Sequence, residues 1–268
     1  SKQSRGLGDV YKRQPKIYEI PKINIRMKYF ISAPFGNYVK HPNVISVTGT
    51  WTLNRRRGLA KQILRTLRYV RTNGHWGWRN KIGLRNAGIV EGLKRTNLND
   101  VCSIAAINRN DWIEFPEELR NRNLEVNISC PNLGSHDDTT EWRGFDQIAA
   151  YNIARWCIVK IPPTASFELI DDLVYRGYKQ IHASNTLPSD KGGLSGKILI
   201  PYTLNIIEYV KKRYSHVEMI AGGGVTEKSD VKRYIDAGAD HVSLGSVCFT
   251  PWKVREILSH EDEEAGEK

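Results

Sequence analysis

Eight short β-rich runs, most of them followed by a helix-length amphipathic segment, constrain the fold of this 268-residue chain more than any other feature. The runs cover residues 29–33, 44–48, 102–107, 124–129, 157–161, 180–184, 217–221 and 240–244. Helical spacing is read over 87–95, 112–120, 145–155, 167–176, 202–213, 229–237 and 251–259, where Ile170, Leu173 and Val174, or Ile206, Ile207 and Val210, share one face. Gly177 and Gly238 stand where helices end. This alternation predicts an α/β protein built as a (β/α)8 TIM barrel, with a doubly wound sheet as the competing architecture. Two irregularities interrupt it. Residues 34–43 contain Pro34, Gly36 and Pro42, so the first helix is shortened or lost; about fifty residues separate strands two and three, a long excursion over the barrel mouth.

The chain length suits one large barrel, and no Pro/Gly/Ser-rich linker divides it. Residues 1–16 have no period and no apolar face and resemble read-through from cloning; 17–260 is assigned as the single barrel, and 261–268 as an acidic flexible tail. No run approaches the roughly 18 apolar residues of a membrane span, so no membrane is expected. Cys102, Cys130, Cys157 and Cys248 are scattered, which suggests neither disulfides nor a metal site and favours a reducing, cytoplasmic setting. The net charge of +11 is concentrated: between Asn54 and Arg95 twelve Lys/Arg face one acid, Glu91. A solvated basic face, or loops that draw in an anionic substrate, is the favoured account. A nucleic-acid surface is disfavoured because no aromatic-basic RNA motif accompanies the charge, although Trp76 and Trp78 keep it open.

Chemistry-bearing residues gather at the C-terminal ends of the runs, where a barrel forms its site. The fourth run ends Asn127-Ile128-Ser129-Cys130-Pro131-Asn132, a thiol between amide side chains. The fifth ends Val159-Lys160-Ile161-Pro162-Pro163, placing a lysine where it would face an anion in the mouth. The sixth ends His182-Ala183-Ser184-Asn185-Thr186, followed by Gly192-Gly193-Leu194-Ser195-Gly196; His182 is read as packing within its strand, without a role. After the last two runs come Gly222-Gly223-Gly224 and Gly245-Ser246, positions at which backbone N–H groups can close on a phosphate.

The ordered set NISCPN (127–132), VKIPP (159–163), ASNT (183–186), GGLSG (192–196), AGGGV (221–225) and GADHVSLGS (238–246) resembles the dihydroorotate dehydrogenases, flavin enzymes of pyrimidine synthesis. Residues 48–53 and 80–86 look like two further segments of that family, so the resemblance spans roughly 29–258. It implies an FMN-binding barrel that oxidises dihydroorotate to orotate. Cys130 corresponds to the base of the class 1 branch. Asn80, Gly83, Leu84, Asn127, Asn132, Asn185 and Thr186 correspond to the substrate-binding set. Ala33, Thr50, Asn127, Lys160, Ser184, Gly196, Gly223, Gly224, Gly245 and Ser246 correspond to the cofactor-binding set, with no metal. Four asparagine amides carry both donors and acceptors and suit a ring of alternating N–H and C=O groups. The electron acceptor is unassigned: fumarate, or NAD through a partner subunit. A homodimer is usual for this branch.

One departure concerns charge: where the family usually has lysine in the segment after strand two, this chain has Gly49 between Thr48 and Thr50, with Arg79, Lys81 or Arg85 the nearest replacements. Two alternatives stay open, a non-catalytic flavin- and orotate-binding homologue and a flavin reductase acting on tRNA in the manner of the dihydrouridine synthases.

Overall fold

A computed structural model describes residues 26–108, 110–128 and 152–259. The strands are β1 (Tyr29–Ile31), β2 (Val44–Trp51), β3 (Arg68–Thr72), β4 (His75–Asn80), β5 (Val101–Ile104), β6 (Leu124–Asn127), β7 (Cys157–Ile161), β8 (Gln180–Ala183), β9 (Gly193–Leu194), β10 (Glu218–Gly222) and β11 (His241–Leu244). The described helices are α1 (Leu59–Thr66), α2 (Ile89–Arg95), α3 (Asp111–Glu114), α4 (Phe167–Tyr175), α5 (Ile200–Arg213), α6 (Lys228–Asp236) and α7 (Pro251–Leu258). Eight strands close a parallel barrel in the order β1-β11-β10-β8-β7-β6-β5-β2, the (β/α)8 architecture expected; the other three form a small sheet, β3-β4-β9.

Strand alternation sorts side chains into two apolar regions. One cluster joins Ile31, Ile104, Val126, Val159 and Ile181 to helix residues such as Ile170, Leu173, Ile206 and Ile207, so it is the mantle between barrel and helices. The second joins Phe30, Val47, Val101, Ile158 and Ile220, at the alternate strand positions, with Trp156; it fills the barrel interior. Each fully buried Ile or Leu in these clusters contributes about 1.5–3 kcal/mol relative to exposure.

Local chemistry sets the helix ends. Ser166 caps α4 by accepting the Leu169 N–H at 3.2 Å. Gly177 and Gly238 adopt φ of +94° and +103° after α4 and α6, as the sequence suggests. In place of the first helix is a single 3₁₀ turn, Phe35–Asn37. The helix expected over 112–120 is instead the one-turn α3 followed by a 3₁₀ turn, Glu117–Asn121, because Pro116 lacks an N–H and disfavours helical backbone at Phe115. Of the helix expected over 145–155, residues 145–151 lie outside the described residues, and Asn152 and the residues after it are not helical; the assigned tails 1–16 and 261–268 also lie outside.

The excursion after β2 contains structure that the helical and strand periods did not reveal. α1 is followed by the β3–β4 hairpin, whose turn is Asn73-Gly74 with φ of +49° and +81°, and β4 pairs with β9 through Arg79↔Leu194 and Asn80↔Gly193. The hairpin is thereby fastened to the glycine-rich segment that follows β8. Its outer face carries Tyr69 stacked on Trp76, ring centroids 5.1 Å apart, and Trp78 packs on Phe249 at 4.5 Å.

Candidate active site

Two residues up several strands, the inward side chain changes from apolar to polar. Val101 gives way to Ser103, Ile158 to Lys160, and Phe30 to Ser32. Strand register levels the new layer, pairing Ser103 with Glu125, Asn127 with Lys160, and Lys160 with His182. The result is a buried cluster centred on Glu125, itself 0% exposed. Its carboxylate accepts from Ser103 Oγ at 2.8 Å and from His182 Nδ1 at 2.7 Å, and stands 3.7 Å from Lys160 Nζ.

The electrostatics follow from these neighbours. Burial alone would raise the Glu125 pKa, but the Lys160 charge and the hydrogen bonds from His182 and Ser103 outweigh it and hold the carboxyl down at about 2. His182 is pushed below its ordinary value, chiefly by burial and then by the Lys160 charge, so its contact with Glu125 is a hydrogen bond from a neutral imidazole rather than an ion pair. Lys160 thus finds its carboxylate inside the barrel, not only in the mouth that the sequence suggested. His182, assigned no role from sequence, belongs to the same cluster; its Nε2 is buried without a partner among the described residues.

Above this layer the expected site residues meet. Asn127 Nδ2 donates to Thr50 Oγ1 at 3.1 Å, Thr50 Oγ1 lies 2.9 Å from Ser103 Oγ, and Asn185 Nδ2 donates to Asn127 Oδ1 at 3.4 Å. The Thr186 N–H donates to Asn185 Oδ1 at 2.8 Å. Ser184 is turned toward a helix: its hydroxyl lies 3.0 Å from Thr203 Oγ1, and Thr203 donates to the Gly222 carbonyl at 2.9 Å. Asn80, Gly83 and Leu84 lie on the hairpin and the loop after it. That loop is organised by Asn86, which sequence reasoning missed: its Oδ1 accepts the N–H groups of Thr52 and Gly88 at 3.2 and 2.8 Å, and its Nδ2 donates to Leu84 O at 2.7 Å. Cys130 and Asn132 lie outside the described residues. Burial pushes the thiols of Cys102, Cys157 and Cys248 up to about 12, so none of these three is a base near neutral pH.

The glycine turns fit a phosphate-bearing group. Gly223 and Gly224 adopt φ of +88° and +79°, and a Cβ on them would stand 2.9 Å from the Leu199 side chain and 2.7 Å from that of Ile200. Among the described residues, the N–H groups of Gly223, Gly224, Gly245 and Ser246 form no backbone hydrogen bond, leaving donors suited to phosphate oxygens. Gly196 packs against the hairpin, where a Cβ would lie 2.7 Å from the Trp76 carbonyl. Ala33 flanks the interior apolar cluster at the end of β1.

Gly49 shows why no lysine stands at its position. It has φ of +97°, a Cβ would come within 2.5 Å of the Ser103 carbonyl, and Asn37 clasps its backbone, accepting the N–H at 3.1 Å and donating to the carbonyl at 3.4 Å. Of the basic residues considered as replacements, Arg85 donates to the Arg57 carbonyl at 2.7 Å.

Residues 43–261 match the family model described as dihydroorotate dehydrogenase. The chain belongs to the dihydroorotate dehydrogenase family. Relatives named dihydroorotate dehydrogenase B (NAD(+)), catalytic subunit, include one from Thermotoga maritima, 27% identical over 203 residues, covering 66% of this chain and 75% of that one. Another, from Desulforamulus reducens, is 28% identical over 247 residues, covering 80% and 78%. The B-type name of these relatives is that of the class 1 branch of the family. A crystal structure of the Eimeria tenella dihydroorotate dehydrogenase with ferulenol shares the fold, at a TM-score of 0.62 and 16% identity over 88% of this chain and 82% of that one. The dihydroorotate dehydrogenases are flavin-dependent, in keeping with the glycine donors above. No described helix is long and apolar enough to cross a membrane.

Proposed function

We infer that this chain oxidises dihydroorotate to orotate in pyrimidine biosynthesis, with FMN as its flavin. The observation that carries the reading is the amide pair Asn127 and Asn185 at the barrel mouth, directly above the buried Glu125–Lys160–His182 cluster. The side chain of each asparagine carries a donor and an acceptor, so a pyrimidine ring with its own alternating groups can be oriented by them. Asn80 and Asn132 complete that set in the proposal.

Bound FMN would supply the acceptor for the hydride that leaves C6 of the substrate. Cys130 would take the C5 proton as a thiolate, general-base work open to a thiol whose unperturbed pKa is about 8.5. Gly196, Gly223, Gly224, Gly245 and Ser246 would hold the phosphate and ribityl end, while Ala33, Thr50 and Ser184 line the cofactor side. Lys160 would favour negative charge collecting at the mouth as the substrate is oxidised. Electrons would leave through a partner subunit to NAD, as the names of the B-type relatives suggest, and the chain would pair as a homodimer in a cytoplasmic setting.

Anaerobic stopped-flow mixing tests this. Dihydroorotate should bleach the bound flavin, and Cys130→Ala should slow the bleaching at least about 100-fold while orotate still binds. A flavin-loaded wild-type protein that dihydroorotate leaves yellow overturns the reading.

A further inference from the structure

The hydrogen bonds beneath the mouth have a direction that chemistry alone determines. The ionised Glu125 carboxylate can only accept, so the proton of Ser103 is committed to it over 2.8 Å. The Ser103 oxygen is then left to accept the proton of Thr50, 2.9 Å away. With its own proton spent, Thr50 accepts from Asn127, which must turn its NH2 toward Thr50 over 3.1 Å. The Asn127 carbonyl consequently faces Asn185, whose NH2 approaches it at 3.4 Å and whose carbonyl meets the Thr186 N–H at 2.8 Å. An amide's oxygen and nitrogen are nearly interchangeable in shape, but this chain of donors leaves only one orientation open to each of them.

We propose that Glu125, acting through Ser103 and Thr50, is a positioning residue that sets the donor and acceptor orientation of the Asn127 amide, matched to that of Asn185, which the Thr186 N–H holds, and thereby the hydrogen-bonding pattern of the ring the mouth accepts. Glu125 itself need not touch the ring. Its effect is specific because it reaches the Asn127 amide through single-proton hydroxyls, each of which passes on the polarity of the one before. Only the part that concerns ligand rests on the pyrimidine reading above.

The test uses the full-length, flavin-loaded protein labelled with ¹⁵N-asparagine, with the Asn127 side-chain signal identified by its loss in Asn127→Asp. Ser103→Ala cuts the relay while leaving Glu125 its contacts with Lys160 and His182. Thr50→Val cuts it one step later with little change of shape, and Thr50→Ser restores the hydroxyl. Hydrogen exchange of the Asn127 NH2 should quicken by about tenfold in Ser103→Ala and Thr50→Val and stay at the wild-type rate in Thr50→Ser. Orotate affinity, measured on the flavin-loaded fraction of each variant and read from the shift of flavin absorbance, should fall by about tenfold in the first two and recover in the third. Unchanged amide exchange in both cutting variants overturns the proposal. Failure of wild-type protein to bind orotate overturns the functional reading instead, and the exchange data still decide the relay.

Discussion

The two halves of the barrel interior are built by the same strand alternation and behave as different materials. The lower half is packed with Phe30, Trp156, Ile158, Val47, Val101 and Ile220, and Phe30 meets Trp156 edge-on with centroids 5.0 Å apart. The upper half holds Ser103, Glu125, Lys160 and His182, all buried, and is joined by direct hydrogen bonds and one ion pair, with His182 Nε2 left without a partner among the described residues. One step of two residues along the strand separates them. The lower layer gains from removing apolar surface from water, and its members are individually replaceable by others of similar volume. The upper layer gains only while every partner is present, because a buried charge stripped of its counterion costs far more than a lost contact. Stability is therefore concentrated below and polarity above, where the site needs it.

The largest effect should come from breaking the upper layer. Glu125→Ala leaves Lys160 and His182 without their acceptor and should cost about 3–5 kcal/mol in denaturant unfolding. The double variant Glu125→Leu with Lys160→Met should recover most of that loss; a double variant as unstable as the single one would show that packing, not charge, governs this layer. A comparable blow to the lower layer, Phe30→Ala, should cost about 3 kcal/mol through the cavity it leaves. It should spare flavin and orotate binding, and loss of either at temperatures where the variant stays folded would erase the distinction between the halves.

A smaller effect separates Glu125 from Glu218, the carboxylate at the lower rim. Burial would raise the Glu218 pKa as well, but hydrogen bonds from His241 and Arg155 and their charge bring it to about 2. Both acids are held below their ordinary 4.5, so each contributes stability that is present above that value and is lost as pH falls from about 4.5 toward 2. His182 adds to acid sensitivity from higher pH: its lowered pKa means the unfolded chain takes up the proton first below about 6.5, so stability falls as pH drops. Salt should distinguish the two acids. Arg155 is half exposed, so the Glu218 contribution should shrink at high ionic strength, whereas that of Glu125 should persist. Acid unfolding of Glu218→Gln and Glu125→Gln at low and high salt measures this, and equal salt sensitivity would contradict it.

Much of the barrel was legible because strand and helix periods are local. All eight barrel strands begin and end within three residues of the expected runs, and α4, α5, α6 and α7 occupy their expected segments. The basic excursion was less legible, since its hairpin is short and its exposed face carries no clean alternation; the Asn73-Gly74 pair was the available signal. Gly49 was noticed as a missing charge, whereas its clasp by Asn37 depends on a turn twelve residues away folding back onto β2. Asn127, Thr50 and Asn185, expected as site residues, are joined by hydrogen bonds through Asn127. Glu125 and Ser103 were passed over because single polar residues within apolar strands do not reveal their partners.

From sequence came the alternation that makes a barrel and the polar residues at the strand tips, because both follow from which way successive side chains point along one strand. Barrel closure and register alone decided that Ser103, Glu125, Lys160 and His182, separated by as many as 79 positions in the chain, would meet at one level of the interior. A strand specifies the face on which a side chain emerges; its neighbours across the sheet specify what that side chain meets, and the energy of a buried charge depends on the second.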